Sequence, residues 1–255
     1  MSEENVESVD VSSDAIENKI DESCELRSGK TVCFESEEER RAYFEKRGAP
    51  PVDLLKSKPG FEYLLQESQV RSWIGEDPSS PMFLDIGAGM GRFLMAEAEK
   101  NQDTRYIGID PDYQCVKKNL QKLDNRERRG VGLPKVRFFF GSVYHATPHL
   151  PELSVDRAYV NYPDPWFKKR HLKRRVVTEK LFSTLRPALK EGGQVYVQTD
   201  IDDYAEFIHE QLDLVKGYEI NREALPLFEG LAGTLYQEKA QLKGHNRHCF
   251  ILTKS

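Results

Sequence analysis

The chain has 255 residues, with 42 acidic against 37 basic side chains, a formal net charge of −5 and a pI near 5.8. A hydrophobic share of 38% is enough for a core and excludes a wholly disordered chain. A mean hydropathy of −0.63, with no apolar run approaching roughly 18 residues, excludes a helical membrane span.

Residues 1–39 hold 13 acids and 3 bases, whereas the remainder holds 34 bases and 29 acids. The low pI therefore averages an acidic tail with a mildly basic body, and the body is what a partner would meet. The start, Met1-Ser2-Glu3-Glu4-Asn5, lacks the basic and apolar stretches of a secretory signal. Cys24, Cys33, Cys115 and Cys249 form no C-x-x-C pair, so reduced thiols in a cytoplasmic protein are expected.

Residues 1–30, rich in Ser, Glu and Asp, are expected to be a disordered acidic tail, and 31–80 a helical extension. Ser36 would cap a helix over Glu37–Phe44, ended by Pro50-Pro51. A second helix over Phe61–Trp73 would present Phe61, Leu64, Leu65 and Val70 on one face and stop at Gly75 and Pro78. From 81 to 255 short apolar runs alternate with helical periods. Strands are expected at Met82–Ile86, Thr104–Asp110, Val136–Phe140, Arg157–Asn161, Gln194–Thr199 and His248–Thr253. Helices are expected through about Lys100, at Asp112–Leu123, at Thr178–Leu189 with Gly192-Gly193 as the stop, and at Tyr204–Val215. That alternation predicts an α/β domain, a mainly parallel sheet with helices on both faces.

Asp85-Ile86-Gly87-Ala88-Gly89-Met90-Gly91 follows the first of these strands and opens a helix. Such glycines let the backbone turn tightly and approach a ligand at the carboxyl edge of the sheet. The dinucleotide fingerprint fails because Arg92 stands where its third glycine belongs, and no G-K-[ST] follows for a P-loop. Asp110 closes the next strand, placed to take both hydroxyls of an adenosine ribose, and Asp85 can approach an ammonium. Ribose plus amino acid, without pyrophosphate, describes S-adenosylmethionine. The alternative is a glycine turn of another α/β protein.

Asn161-Tyr162-Pro163-Asp164-Pro165-Trp166 follows the fourth strand. The two prolines hold Asp164 on a stiff loop, and Tyr162 and Trp166 can stack a base or wall a pocket. Lys168-Lys169-Arg170-His171-Leu172-Lys173-Arg174-Arg175 then places six cations in eight residues. Beside a catalytic loop this run suits a phosphate track, although a charge run is often only a solvated face. Asp200 ends the fifth strand and would face the same crevice, joined by Thr234-Leu235-Tyr236-Gln237. His245, His248 and Cys249 match no common zinc spacing, so no metal is expected.

With those residues in place, the sequence from about Met82 to Thr253 resembles the bacterial-type tRNA (guanine-N7)-methyltransferase family. The carriers are Leu84–Gly91, the block Pro163-Asp164-Pro165-Trp166-Phe167-Lys168-Lys169-Arg170-His171 with Lys173-Arg174-Arg175, and Thr199-Asp200 with Tyr204-Ala205-Glu206. The resemblance implies a Rossmann-like class I methyltransferase with a seven-stranded sheet, acting with S-adenosylmethionine on N7 of a tRNA variable-loop guanine. It implies cofactor contacts from Asp85, Gly87, Gly89, Gly91, Asp110, Ser142, Asn161 and Asp164, with Asp164 as the catalytic carboxylate. Lys168, Asp200, Thr234 and Gln237 would hold the substrate, and Lys169, Arg170, Lys173, Arg174 and Arg175 the RNA. A monomer or homodimer is expected.

Four departures stand out: Asp85 and Asp110 where the family has Glu, Ser142 where it has Asp, Gln237 where its T-x-x-E ends in Glu, and no arginine-rich segment before the first strand. The alternatives are another RNA or exocyclic-amine methyltransferase of this fold, or a non-catalytic tRNA-binding paralogue.

Overall fold

A computed structural model describes residues 24–27, 30–33, 67–77 and 79–255. The chain divides into two compact units, residues 1–61 and 62–255. Within the first, β1 (Cys24–Arg27) and β2 (Lys30–Cys33) pair antiparallel, with Cys24 opposite Cys33. The backbone is extended here, where a tail ending at residue 30 and a helical extension starting at 31 were expected. The helix expected over 37–44 and the start of the next, 61–66, lie outside the described residues.

The second unit opens with α1 (Glu67–Glu76), which buries Val70 and Trp73 and runs one residue past Gly75. Its far end is tied down by Arg105, which is buried and donates to the carbonyls of Ile74, Asp77 and Ser80. A buried guanidinium persists only when its donors are satisfied, and here three carbonyls do it.

Seven strands follow in the spatial order β5-β4-β3-β6-β7-β9-β8. β3 (Met82–Ile86), β4 (Arg105–Asp110), β5 (Val136–Phe140), β6 (Val155–Asn161) and β7 (Leu189–Thr199) run parallel. β9 (His248–Lys254) is antiparallel to both β7 and β8 (Tyr218–Asn221). Parallel strands covered on both faces read as continuous apolar runs, which is why β3 to β6 were visible in sequence. Leu84, Ile107, Val160 and Val197 have no measurable exposure, and each contributes about 1.5–3 kcal/mol by leaving water.

The helices are α2 (Arg92–Lys100), α3 (Tyr113–Arg128), the short α4 (Val143–Ala146), α5 (Glu179–Leu185), α6 (Asp202–Leu214) and α7 (Leu235–Leu242). From β3 the chain winds outward through β4 to β5, then crosses back to β6 and winds the other way. That reversal opens a crevice at the carboxyl ends of β3 and β6, where open α/β sheets bind ligands.

Two expectations are corrected. Gly192-Gly193 does not stop a helix: α5 ends at Leu185, and the glycines lie inside β7, beside a register shift at Val155/Arg157. Gly192 has φ 72°, and a Cβ on Gly193 would sit 2.8 Å from the Lys190 carbonyl oxygen, so the bulge requires both glycines. α3 also runs past Leu123 to Arg128, its polar end held by the Arg126–Glu99 pair at 2.7 Å and the Arg128–Asp124 pair one turn apart.

Candidate active site

The glycine loop between β3 and α2 is built on left-handed backbone, with φ of 75°, 51° and 67° at Gly87, Gly89 and Gly91. A Cβ on Gly91 would lie 2.7 Å from the Phe138 ring, so the loop can pack against β5 only as glycine. Nothing lies within 4 Å of the corresponding point on Gly87, which leaves open space for a ligand along the loop. The loop is held firmly. Gly89 N–H donates to Asp110 Oδ2 at 2.7 Å, Asn119 donates to the Gly89 carbonyl at 2.8 Å, and Lys122 donates to the Met90 carbonyl at 2.6 Å.

Asp110 also accepts from Asp112 N–H at 2.7 Å through Oδ1. Each carboxylate oxygen retains a second lone pair, so the group can still receive ribose hydroxyls. Burial raises its pKa, the two backbone bonds oppose that, and the charges of Asp112 and Asp164 add to it. Asp85, 2% exposed, is pushed up to about 7 by burial, with the Asn161 hydrogen bond at 3.3 Å opposing and Asp110 reinforcing the shift. Ser142 caps α4 through its backbone, the Ala146 N–H reaching its carbonyl at 3.1 Å. It follows Gly141, whose N–H bonds to the Asp110 carbonyl, so Ser142 lies at the same sheet edge.

After β6 the chain turns sharply. Tyr162 and Trp166, at φ 50° and 46°, occupy a backbone region that costs non-glycine residues energy, and they bracket Pro163-Asp164-Pro165. The Tyr162 N–H bonds to the Gln198 carbonyl at 2.9 Å, which ties the loop to β7. The Asp164 side chain is exposed towards the crevice mouth, near enough for its charge to act on Asp110. The rings of Tyr162 and Tyr236 are 21° from parallel with centroids 6.4 Å apart, and Tyr236 is 61% exposed. The Tyr162 hydroxyl is buried, which pushes its pKa to about 12 against the nearby Arg247 charge.

The basic run forms a 3-10 helix over Lys169–Arg174. Lys168, Lys169 and Arg170 are exposed, and Arg174 lies 5.0 Å over the Trp166 ring. Arg175 differs from the rest. It donates to the Pro165 carbonyl at 2.8 Å and lies over Tyr204 and Phe207 at 4.9 and 4.6 Å. Through these contacts it braces the loop from within.

Asp200 pairs with His245 at 3.1 Å, and Asp202 pairs with His248 at 2.7 Å. Among the described residues no cluster of His, Cys, Asp and Glu is assembled for a metal ion. Thr234 caps α7, accepting from the Gln237 N–H at 2.9 Å; T-x-x-Q is also the sequence of a capping box. Arg92, the residue that broke the dinucleotide fingerprint, grips Glu238 of α7 with two hydrogen bonds of 2.9 and 2.5 Å. Glu97 receives the Ala232 N–H, and Lys100 reaches the Gly230 carbonyl at 3.3 Å. The segment before β9 is thereby laid along α2 beside the glycine loop. Asn119, Gln198, Arg247 and the Arg92–Glu238 pair carry this architecture without a local motif to announce them.

The sheet order is that of the class I methyltransferase fold. Solved structures of the same fold include the aminoglycoside resistance methyltransferase NpmB1, at TM-score 0.52 and 19% identity, covering 76% of this chain and 95% of that one. The 16S rRNA methyltransferase KamB matches at TM-score 0.51 and 15% identity, over 73% of this chain and 90% of that one. Residues 79–250 match the family model described as "Putative methyltransferase". A tRNA (guanine-N(7)-)-methyltransferase of Syntrophotalea carbinolica is 32% identical over 66% of this chain and 72% of its own. One from Streptococcus pneumoniae (strain Hungary19A-6) is 30% identical over 78% of this chain and 93% of its own. The chain belongs to the tRNA (guanine-N7)-methyltransferase family, with S-adenosylmethionine as its methyl donor.

Proposed function

We propose that this protein is cytoplasmic and methylates N7 of a variable-loop guanine in tRNA, as a monomer or homodimer. The observation that carries the reading is one sheet edge holding both a donor cradle and a strained Pro-Asp-Pro loop with exposed cations behind it. The cradle fits the donor: open space along Gly87, free lone pairs on Asp110 and a buried carboxylate at Asp85 match an adenosine ribose and an amino acid end. Asp110 would take the ribose, Asp85 and Asn161 the methionine end, and Ser142 the neighbourhood of the adenine. When bound, S-adenosylmethionine supplies an electrophilic sulfonium methyl.

Guanine N7 already exposes a lone pair, so no side chain has to remove a proton from it. The work of the chain is positioning and electrostatics. Asp164 can accept from the guanine N1–H and N2–H and favour the positive charge that develops on the purine. Tyr162 and Tyr236 supply flat faces for the base. Lys168, Asp200, Thr234 and Gln237 would hold the substrate, while Lys169, Arg170, Lys173 and Arg174 would form the phosphate track. Single-turnover transfer of labelled methyl to tRNA, followed by nucleoside mass spectrometry, tests the reading. 7-Methylguanosine supports it. A methylated exocyclic amine moves the protein to a different activity of this fold, and donor binding without transfer makes it a tRNA-binding paralogue.

A further inference from the structure

Asp85 is not held by Asn161 alone. Asn161 Nδ2 donates to Asp85 Oδ1 at 3.3 Å, Gln198 Nε2 donates to Asn161 Oδ1 at 2.5 Å, and Arg247 Nε donates to Gln198 Oε1 at 2.9 Å. The series runs from Arg247, one residue before β9, across three strands, β7, β6 and β3. Its two ends fix its direction. An arginine guanidinium only donates and an ionised carboxylate only accepts, so two amides in series between them must both point their NH2 groups towards Asp85. Gln198 is 1% exposed, so water cannot readily replace a missing partner there. Arg247 is itself held in place over the Phe228 ring at 5.4 Å.

We infer that Arg247, acting through Gln198 and Asn161, is a positioning residue for the methionine end of the methyl donor, because it keeps the Asn161 amide turned to hold the Asp85 carboxylate. This rests on the reading of Asp85 as the group that meets the donor's ammonium. Reversal of Asn161 would set its carbonyl oxygen against that carboxylate, and reversal of Gln198 would set an oxygen against Asn161 Oδ1 and so favour that turn. The effect is confined to one end of the donor, since Asp110 and its backbone partners belong to β4 and the glycine loop.

Two probes separate the ends. S-adenosylhomocysteine carries both the nucleoside and the amino acid, whereas 5′-methylthioadenosine carries only the nucleoside. Calorimetry on the full chain compares Gln198→Glu, Arg247→Met and Arg247→Lys, with thermal melting to monitor the fold. Glu at 198 still accepts from Arg247 but has no proton to give Asn161. For Gln198→Glu and Arg247→Met the Kd for S-adenosylhomocysteine rises about tenfold, the scale of one hydrogen bond to a charged group. The Kd for methylthioadenosine stays within about twofold, and Arg247→Lys recovers most of the loss by restoring a donor. If Gln198→Glu fails to fold, Arg247→Met decides, since Arg247 is only partly buried and precedes β9. Equal weakening of both probes, or of neither, overturns the inference. Wild-type protein that binds neither probe removes the donor site itself. The expected split in the variants, with wild-type protein that binds both probes but does not methylate tRNA, leaves the relay standing and refutes only the substrate.

Discussion

Replacement of Asp85 by Asn keeps the shape and the Asn161 hydrogen bond but removes a charge that the fold buries. The native pKa of about 7 stands above the ordinary value of 3.8. Between those two values the native state binds more protons than the unfolded chain, so stability falls as pH rises through that window and levels off above pH 7. Each pKa unit is worth about 1.4 kcal/mol, which makes the full cost of ionised Asp85 about 4 kcal/mol, of which somewhat under half is already present at pH 5. Ligand-free D85N should therefore melt above wild type, and its advantage should widen by roughly 2–3 kcal/mol between pH 5 and pH 8. For a domain of this size that corresponds to a further rise of roughly 5–10 °C in the Tm difference. S-adenosylhomocysteine affinity should fall in the same variant. Thermal melts of both proteins across this pH range decide the matter. A Tm difference that does not change with pH would show that Asp85 is not a destabilised, functional carboxylate.

Asp110→Ala should weaken S-adenosylmethionine binding by roughly 1–3 kcal/mol, the scale of lost charge-assisted hydrogen bonds; unchanged calorimetric affinity in a folded variant would remove its ribose role. Asp164→Asn should abolish most methyl transfer while changing cofactor affinity far less, and turnover near wild type would make Asp164 a structural aspartate. Replacing Lys169, Arg170 and Arg174 together by Gln should flatten the log–log salt dependence of tRNA binding by about 2–2.7 units, from about 0.7–0.9 per phosphate contact; an unaltered slope would leave the run a solvated face. Arg175→Gln, by contrast, should leave the slope alone and cost about 1–2 kcal/mol of stability, because it loses the Pro165 carbonyl and two aromatic faces.

The parts legible in sequence are those whose signal is local. The glycine loop, the acids closing β3 and β4, and the Pro-Asp-Pro turn each lie within one short window, and buried parallel strands announce themselves as apolar runs. β8 escaped notice because it is a four-residue edge strand, Tyr218–Asn221, hydrogen-bonded only to β9 and carrying Glu and Asn. Gly192-Gly193 carries the same signal whether it stops a helix or bulges a strand, and only pairing with β6 separates the two. Within the basic run, Arg175 is indistinguishable by composition from its neighbours until Tyr204 and Phe207 are placed beneath it. Arg92 and Glu238 are 146 residues apart, and the relay joins residues separated by 76, 37 and 49 positions. Such contacts depend on sheet order, which no short window encodes.

The central claim is that the crevice between β3 and β6 delivers a methyl group to guanine N7 of tRNA. The most direct measurement incubates the full chain with an unmodified tRNA transcript and methyl-labelled S-adenosylmethionine, then maps the label by nuclease digestion and mass spectrometry. The account predicts 7-methylguanosine at one variable-loop guanine, lost in Asp164→Asn. Label on an exocyclic amine or another nucleotide, or a folded, donor-binding protein that transfers nothing, would contradict it.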